Sequence, residues 1–240
     1  MKLRDEHLRS YVDDIKQIGL LRFLTWRGVD VAAAWEGAYE PATRSDDAEL
    51  ATLVKFNRDH YLYYRALVER HMECTGTVLD VGCGSGARTA MLARYATHVI
   101  GIDNDMLKVS AAAQLNNAGN AKIEWYGGDF MAWTFANTFD YVFAVEVIEH
   151  MSLYLHPAFI DKMLNILAPG GRILMTTPRD RPPERKHPHI GLWADEDAER
   201  IVSPFEGAIE YFNHRQLQNG GETPWSTKED ATHYVVVINK

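Results

Sequence analysis

Three side chains that can bind protons or metal ions follow one apolar run of the sequence. Residues 141–145, YVFAV, read as a buried strand, and Glu146, Glu149 and His150 come directly after it. In a helix beginning here, Glu149 and His150 would share a face with Glu146. Two carboxylates and an imidazole that converge on one point suit Mg²⁺, Mn²⁺, Fe²⁺ or Zn²⁺. Without a metal, Glu149 or His150 could serve as a general base.

A glycine-rich stretch, VLDVGCGSGA at 78–87, follows a short β-rich run and precedes a helical pattern. Its glycines allow a sharp turn and let a ligand approach the backbone closely. In a doubly wound sheet this turn lies at the carboxyl end of the first strand, where ligands bind. Asp103 ends the second predicted strand, where its carboxylate can accept hydrogen bonds from both hydroxyls of a ribose.

These residues alone leave the ligand of the glycine stretch open. Gly82, Gly84 and Ala87 also satisfy the dinucleotide fingerprint G-x-G-x-x-G/A, and an acidic residue about 20 positions later fits NAD as well. A tight turn without any ligand is the simplest alternative. The stretch by itself therefore permits an NAD-dependent oxidoreductase, another nucleotide-like cofactor, or no cofactor.

The elements that must position these groups alternate between β-rich runs and helical patterns. Strands are predicted at 77–81, 98–103, within 121–129, 139–145 and 172–178, and helices at 87–96, 105–119 and about 157–167. This alternation predicts an α/β, Rossmann-like, doubly wound sheet. Two later β-rich runs, 208–216 and 233–240, predict a closing hairpin at the sheet edge.

The first part of the chain predicts a helical N-terminal extension at 1–72, ahead of a cofactor-binding domain at 73–240. We expect short helices within 1–44 and one amphipathic helix from about Asp46 to Met72. The aromatic residues of this extension could form a lid or substrate wall, or the tyrosines could pack on the sheet. These residues are Trp26, Trp35, Tyr39, Tyr61 and Tyr64.

Composition narrows the class of protein. The formal net charge of −8 over 240 residues argues against a broad nucleic-acid-binding face. Two cysteines, Cys74 and Cys83, do not make a disulfide framework, so we expect reduced thiols and a cytoplasmic location. Neither a signal-peptide core nor a membrane-spanning apolar run is apparent in the sequence, so no membrane partner is expected. The oligomeric state stays open.

Several motifs, in a matching order, resemble those of class I S-adenosylmethionine-dependent methyltransferases. The stretch that starts at Asp80 resembles the D-x-G-x-G-x-G motif, and GGDF at 127–130 resembles the G-D-hydrophobic motif after strand three. LAPGGRILMTTP at 167–178 resembles the L-x-P-G-G turn into strand five. The resemblance implies a seven-stranded sheet with an antiparallel last strand. A dehydrogenase would explain the glycine stretch and Asp103 but not the other two motifs.

The resemblance also implies S-adenosylmethionine as cofactor. Asp103 would hold the ribose, and Asp129 with Phe130 would hold one side of the adenine. Met106 would cover the other side of the adenine; alternatively, Met106 is an ordinary core residue. The residues expected at the cofactor are Asp80, Gly82, Cys83, Gly84, Gly86, Asp103, Asn104, Met106, Asp129, Phe130 and Glu146.

EVIEHM at 146–151 resembles two branches of this superfamily. One branch O-methylates catechol-like rings in ubiquinone biosynthesis, and the other methylates the 2′-hydroxyl at the 3′ end of small RNAs with a divalent metal. In the RNA branch a ligand histidine lies four residues before a tryptophan, as His189 does before Trp193, although His187 is a second candidate. The implied metal ligands are Glu146, Glu149, His150 and His189. Alternatively, Glu146 contacts only the cofactor and Glu149 only caps a helix.

We therefore expect an S-adenosylmethionine-dependent methyltransferase that acts on an oxygen of a small molecule or sugar, with Glu149 and His150 as catalytic residues. A divalent metal would assist if the acceptor carries neighbouring hydroxyls. RNA 3′-end 2′-O-methylation is the first alternative, which the acidic balance disfavours. An NAD-dependent oxidoreductase and a non-catalytic cofactor-binding protein are the others.

Overall fold

Strands and helices alternate along most of the chain in the computed structural model, which describes residues 62–73, 75–116, 122–179, 189–213, 216 and 223–240. The strands are β1 (Thr77–Val81), β2 (His98–Asp103), β3 (Ile123–Gly127), β4 (Phe139–Val145), β5 (Leu167–Pro178), β6 (Ala208–Phe212) and β7 (His233–Asn239). The described helices are α1 (62–71), α2 (Ala87–Leu92), α3 (Met106–Asn116), α4 (His156–Ile166) and α5 (Asp195–Val202).

The strands form one seven-stranded sheet in the order β3-β2-β1-β4-β5-β7-β6. Strands β1 to β5 run parallel to one another, while β7 runs antiparallel to both of its neighbours, β5 and β6. This confirms the predicted Rossmann-like sheet with an antiparallel last strand and its closing hairpin. Because β1 to β4 are parallel, their carboxyl ends meet at a single edge, which we call the carboxyl edge.

Both faces of the sheet are buried, so its central strands are apolar throughout rather than alternating. Along β4, Tyr141, Phe143 and Val145 belong to one apolar cluster, and Val142 and Ala144 belong to the other. The first cluster includes residues of α1 and α2, and the second includes residues of α4 and α5. Helices on both faces are what the doubly wound prediction requires.

Helix α1 is part of this core. Tyr63, Tyr64 and Leu67 are buried, and Tyr64 stacks on Phe143 of β4 at 6.2 Å between ring centroids. For Tyr64, packing on the sheet is therefore the correct interpretation, and a lid is not. The predicted elements within 1–61, and the tryptophans placed there, lie outside the described residues, so the boundary between the extension and the domain at residue 72 stays a prediction.

Two local predictions are corrected by the structure. Helix α2 ends at Leu92 rather than near residue 96, and the chain then continues through turns to β2. No α-helix starts directly after β4; instead a single 3₁₀ turn spans Ile148–His150. None of the described helices is long and apolar enough to span a bilayer.

Candidate active site

The glycine stretch forms a tight loop between β1 and α2. Gly82, Gly84 and Gly86 all have positive φ angles, of 73°, 54° and 81°, which favour glycine. A Cβ at Gly82 would lie 2.4 Å from the side chain of Val147, and one at Gly86 would lie 2.3 Å from Trp125. A Cβ at Gly84 would meet nothing within 4 Å. The loop is thus packed from beneath at its ends and open at its centre, where a ligand can approach the backbone.

Asp103 lies beside this loop at the end of β2, as predicted. Its Oδ2 accepts a hydrogen bond from the Gly84 amide at 2.8 Å, and its Oδ1 accepts one from the Asp105 amide at 2.9 Å. These amides hold the carboxylate in place at the carboxyl edge. Each oxygen keeps lone pairs with which it can accept a hydrogen bond from a ribose hydroxyl.

Met106 and Asn104 flank Asp103 on the surface. Both side chains are exposed, Met106 by 63%. A Cβ at Gly127, the last residue of β3, would lie 2.3 Å from the Met106 sulfur, so Met106 covers the end of β3. Met106 is therefore not ordinary core, and it lies where an adenine would be expected.

Asp129 and Phe130 follow β3 but differ in exposure. Asp129 is exposed, and its Oδ1 accepts the Met131 amide at 2.9 Å. Phe130 is buried, with its ring 5.4 Å from that of Phe159 in α4. Its side chain is part of the core, which leaves it little surface for an adenine ring. Whether Phe130 contacts an adenine stays a prediction.

Asp80 lies beneath the glycine loop and is fully buried. It accepts hydrogen bonds from Thr89 of α2 at 2.6 Å and from Tyr64 of α1 at 3.4 Å. Burial raises the pKa of Asp80 to about 6, against these hydrogen bonds, which lower it. Asp80 thus ties two helices to the loop from below rather than presenting a carboxylate to a ligand. Cys83 is also buried, and burial raises the pKa of its thiol.

Glu146 directly follows β4 and has a φ of 59°, an uncommon conformation for a residue with a side chain. The expected helical spacing from Glu146 is therefore wrong. Its amide donates to the Thr176 carbonyl oxygen at 3.1 Å. Its carboxylate accepts a hydrogen bond from Thr176 Oγ1 at 2.9 Å and faces His233 Nε2 at 3.4 Å.

Three of the four predicted metal ligands come together beside Glu146. Glu149, His150 and His189 each offer one ligand atom, and these atoms all lie within 4.8 Å of one another. The rings of His150 and His189 are 5.0 Å apart, and His150 Nε2 lies 3.9 Å from Glu149 Oε1. Glu146 is not in this group, which we call the Glu149 cluster.

The carboxylate of Glu149 is the unusual member of the cluster. It is 1% exposed, whereas the side chain of His150 is 57% exposed. Neither oxygen has a hydrogen-bond partner among the described residues, although its own backbone and the Thr177 hydroxyl both act to lower its pKa. Burial, and then the charge of Glu146, raise the pKa of Glu149 to about 9. A buried carboxylate without a partner is costly, and a cation would satisfy it.

Backbone hydrogen bonds of the neighbouring residues bring His189 to the Glu149 cluster. The amides of Ile190 and Gly191 both donate to the carbonyl oxygen of Glu149 at 3.0 Å. A Cβ at Gly191 would lie 2.1 Å from the Met151 carbonyl oxygen, so only glycine fits this approach. The chain after β5 is thereby fastened to the turn after β4. His187 lies outside the described residues.

A buried hydrogen-bonded pair supports the same segment. The Trp193 indole N–H donates to His156 Nδ1 at 2.8 Å, so His156 Nε2 carries the proton and donates to the Met151 carbonyl oxygen at 3.1 Å. Burial lowers the pKa of His156, which favours this neutral form. The tryptophan of the expected histidine–tryptophan spacing therefore has a structural role.

Residues 78–171 match a family described as a methyltransferase domain. The chain carries a class I S-adenosylmethionine-dependent methyltransferase domain. The match begins in β1 and ends in β5, so it includes the glycine loop, Asp103, Asp129 and the turn after β4.

The methyltransferase domain has relatives with different acceptors. The chain is 31% identical over 173 residues to trans-aconitate 2-methyltransferase of Azoarcus sp. (strain BH72), which covers 67% of this chain and 65% of that protein. It is 31% identical over 159 residues to the mitochondrial ubiquinone biosynthesis O-methyltransferase of Dictyostelium discoideum, which covers 59% of this chain and 47% of that protein. The chain thus spans less than two thirds of the length of these relatives.

The methyltransferase domain also shares its fold with solved structures. N-methyltransferase NodS from Bradyrhizobium japonicum WM9, in complex with S-adenosyl-L-homocysteine, superposes with a TM-score of 0.56 at 20% identity. The alignment covers 88% of this chain and 98% of that chain. At this identity the likeness establishes the fold.

Sequence reasoning missed His233, which faces Glu146. This residue opens β7, and the register pairs it with Pro178, the last residue of β5. The first residue of an antiparallel strand lies at the edge where the parallel strands end. The predicted hairpin could have suggested this position, but no spacing between Glu146 and His233 indicates the contact.

Proposed function

We propose that this chain transfers a methyl group from S-adenosylmethionine to a hydroxyl oxygen of a small molecule or sugar, with a divalent metal held by the Glu149 cluster. The observation that carries the proposal is the buried Glu149 carboxylate, which has no hydrogen-bond partner among the described residues and has two imidazoles around it, at the carboxyl edge that also carries the glycine loop. Such donors bind hydroxyl-chelating cations. Acceptors with neighbouring hydroxyls are therefore favoured.

The cofactor side of the proposal uses the β1–β3 half of the carboxyl edge. The open backbone at Gly84 would receive the methionine part, and Asp103 would accept the ribose hydroxyls. Met106 and Asp129 would border the adenine. NodS, which has the same fold, was solved in complex with S-adenosyl-L-homocysteine, and this supports S-adenosylmethionine as the cofactor.

The metal side fits the residues present. Glu149 offers an oxygen, and His150 and His189 each offer a nitrogen. This mixed donor set suits Mn²⁺, Fe²⁺ or Zn²⁺ better than Mg²⁺, which prefers oxygen ligands. Glu149 must lose its proton to bind a cation, and a cation would in turn favour the ionised form. A metal bound there would lower the pKa of an acceptor hydroxyl and fix its position.

The reaction is a direct displacement. A bond forms between the acceptor oxygen and the methyl carbon as the carbon–sulfur bond breaks, and the sulfur keeps the electron pair to give S-adenosylhomocysteine. The hydroxyl proton is released to water. The chain's own contribution is to hold the two reactants in line, which lowers the entropic cost of the step.

The charges beside the site favour a neutral acceptor. Glu146, which lies beside the cluster, would repel a carboxylate acceptor, and it would hold an amine in its protonated form, which has no lone pair to attack with. A hydroxyl escapes both effects because it stays neutral and can donate a hydrogen bond. This is why we propose O-methylation although the relatives include other acceptors.

One observation favours a second candidate, 2′-O-methylation at the 3′ end of RNA. His189 joins Glu149 and His150, as the RNA branch of the superfamily would require. The net charge of −8 counts against it, because phosphate contacts require Lys and Arg. A small acceptor therefore remains the first proposal.

The test is calorimetric titration of metal-stripped protein with S-adenosylhomocysteine and, separately, with Mn²⁺. We expect both to bind, and His150→Ala to lose Mn²⁺ while keeping S-adenosylhomocysteine. His98→Ala is the matched control, since His98 also faces a glutamate but opens β2 at the opposite edge. Cofactor binding without Mn²⁺ binding would overturn the metal. Failure to bind S-adenosylhomocysteine, with NADH bound instead, would overturn the methyltransferase proposal.

A further inference from the structure

A second polar group lies at the carboxyl edge, on the β4–β5–β7 side of the Glu149 cluster. It consists of Glu146 after β4, Thr176 in β5, and Thr232 and His233 at the start of β7. The antiparallel direction of β7 brings its first residue to the edge where β4 ends. This group therefore lies on the side of the site away from the glycine loop and Asp103, where an acceptor rather than the cofactor must enter.

The Glu146 carboxylate is held from two sides. Thr176 Oγ1 donates to Oε1 at 2.9 Å, and His233 Nε2 faces Oε2 at 3.4 Å. The other imidazole nitrogen, Nδ1, pairs with Thr232 Oγ1 at 2.7 Å. The His233 ring is thus fixed through one nitrogen and aimed at Glu146 with the other, an arrangement that orients a carboxylate.

The strained backbone of Glu146 also indicates that its side chain is held in one orientation. Its φ of 59° costs free energy for a residue with a side chain, and the amide hydrogen bond to Thr176 maintains it. In this conformation the carboxylate contacts Thr176 of β5 and His233 of β7, and it is not one of the three ligand atoms of the Glu149 cluster. Strain of this kind persists where the surrounding contacts determine one orientation, as they do here.

The pair remains within reach of a ligand. The side chain of Glu146 is 21% exposed and that of His233 is 15% exposed, in contrast to the buried Glu149. The two oxygens of a carboxylate can together accept about four hydrogen bonds, so the exposed part of Glu146 can receive a donor from a ligand. A hydroxyl donor is the neutral group that such an oxygen holds best.

We propose that His233 is a positioning residue that orients Glu146 to accept the hydrogen bond of the acceptor hydroxyl. This inference rests on the proposed O-methylation and specifies how the acceptor is held. Glu146 would direct the hydroxyl so that an oxygen lone pair faces the methyl group, while the Glu149 cluster holds a neighbouring hydroxyl. The role requires orientation only, so it predicts an effect on acceptor binding and turnover but not on cofactor binding.

The experiment uses catechol, the simplest aromatic acceptor with neighbouring hydroxyls, with S-adenosylmethionine and Mn²⁺. Initial rates give kcat and the KM for catechol, and calorimetry gives the affinity for S-adenosylhomocysteine. We expect His233→Phe to raise the KM for catechol by about tenfold or more, the loss typical of one well-placed hydrogen bond, and to lower kcat. The affinity for S-adenosylhomocysteine should change less than about twofold, and His233→Gln, which keeps an N–H for Glu146, should recover most of the activity.

Two further variants keep the test decisive. Thr176→Val removes the other hydrogen bond to Glu146 with little change in shape, so it should raise the KM for catechol even if His233→Phe folds poorly. His98→Phe is the matched control and should behave as wild type.

Three outcomes would overturn the inference. Unchanged catechol kinetics in both His233→Phe and Thr176→Val would remove the positioning role and leave O-methylation standing. A parallel loss of cofactor affinity would assign Glu146 to the cofactor. Wild-type protein that binds S-adenosylhomocysteine but does not methylate catechol would defeat the proposed acceptor class, and the inference with it.

Discussion

Single carboxylates at the carboxyl edge have different surroundings and therefore different roles. Asp103 is held open to solvent by two amides, Asp80 is buried and joined to two helices, and Glu149 is buried without a partner. Glu146 is held between a threonine and a histidine. Four acidic side chains near one edge of the sheet thus separate into a candidate ribose contact, a scaffold residue, a candidate metal ligand and a candidate acceptor contact.

Replacement of Asp103 by alanine should remove the ribose contact. We expect Asp103→Ala to weaken S-adenosylhomocysteine binding by about tenfold to a hundredfold, since hydrogen bonds to a charged group contribute about 1.5–3 kcal/mol. Calorimetry at constant ionic strength measures this. Asp161→Ala, on the exposed surface of α4, is the control and should bind normally. Equal affinity in the two variants would exclude Asp103 from the cofactor site.

Glu149 should make the metal-free protein lose stability as the pH rises. Its folded pKa of about 9 lies above its ordinary value of 4.5, so the folded state keeps a proton that the unfolded chain releases. Stability is then greatest below pH about 4.5 and falls up to pH about 9.

The Glu149→Gln side chain does not titrate, so comparing this variant with wild type isolates the effect of Glu149. In the presence of a chelator, the unfolding free energy of the variant relative to wild type should rise between pH 5 and 9 by at least about 1.4 kcal/mol, the equivalent of one pKa unit. Urea unfolding at several pH values gives this difference. Parallel pH profiles for the two proteins would show that Glu149 ionises normally.

The elements around the site act mainly by bringing distant chain segments together. The turn after β4 and the segment after β5 meet because the Ile190 and Gly191 amides donate to the same carbonyl oxygen of Glu149. The core beneath the end of β3 is closed by Phe130, which packs against Phe159 of α4. These contacts decide which side chains can reach a ligand.

Gly191→Ala should separate the segment after β5 from the turn after β4. The added methyl group would lie 2.1 Å from the Met151 carbonyl oxygen and 2.8 Å from His156 Nε2, so the backbone must move. We expect Mn²⁺ affinity to fall by about tenfold or more, because His189 loses its place among the ligands, while S-adenosylhomocysteine affinity is retained. Ile190→Ala, which keeps the amide and changes an exposed side chain, should retain both. Normal Mn²⁺ binding in Gly191→Ala would exclude His189 as a ligand.

Phe130→Ala should act as a core mutation. Its ring packs on Phe159 and lies near the ammonium group of Lys162, so its removal should cost about 3–5 kcal/mol of unfolding free energy. Denaturant unfolding measures this loss, and calorimetry well below the transition should give near-normal S-adenosylhomocysteine affinity. Lost affinity in a stable variant would restore the predicted adenine contact.

For the molecule as a whole, the charge balance and the sheet topology bear on the proposed class of acceptor. The net charge of −8 is unfavourable for a polyanion, while the sheet gathers the cofactor contacts and the acidic groups at one edge. A small neutral acceptor satisfies both conditions.

Short single-stranded RNA with a free 3′ end should therefore not bind saturably, even at about 50 mM salt, where phosphate contacts are strongest. Fluorescence anisotropy in the presence of S-adenosylhomocysteine and Mn²⁺ tests this. Saturable binding that weakens with added salt would favour RNA 3′-end methylation and displace the small-acceptor proposal.

Local features of the sequence were enough to predict the strands, the glycine loop, Asp103 and the acidic groups after β4. Each of these depends on short-range properties: apolar runs form buried strands, glycines permit positive φ, and a residue that ends a parallel strand lies at the carboxyl edge. The resemblance of the motifs then indicated the cofactor.

The orientation of each side chain, and which side chains contact it, depended on contacts between distant segments. Glu146 contacts β5 and β7 and lies outside the Glu149 cluster because its backbone adopts φ 59°, and helical spacing could not reveal this. Phe130 enters the core because α4 packs over it. His233 meets Glu146 because β7 pairs antiparallel with β5, and pairing between strands far apart in the chain is decided by the burial of the whole sheet, which no local pattern encodes.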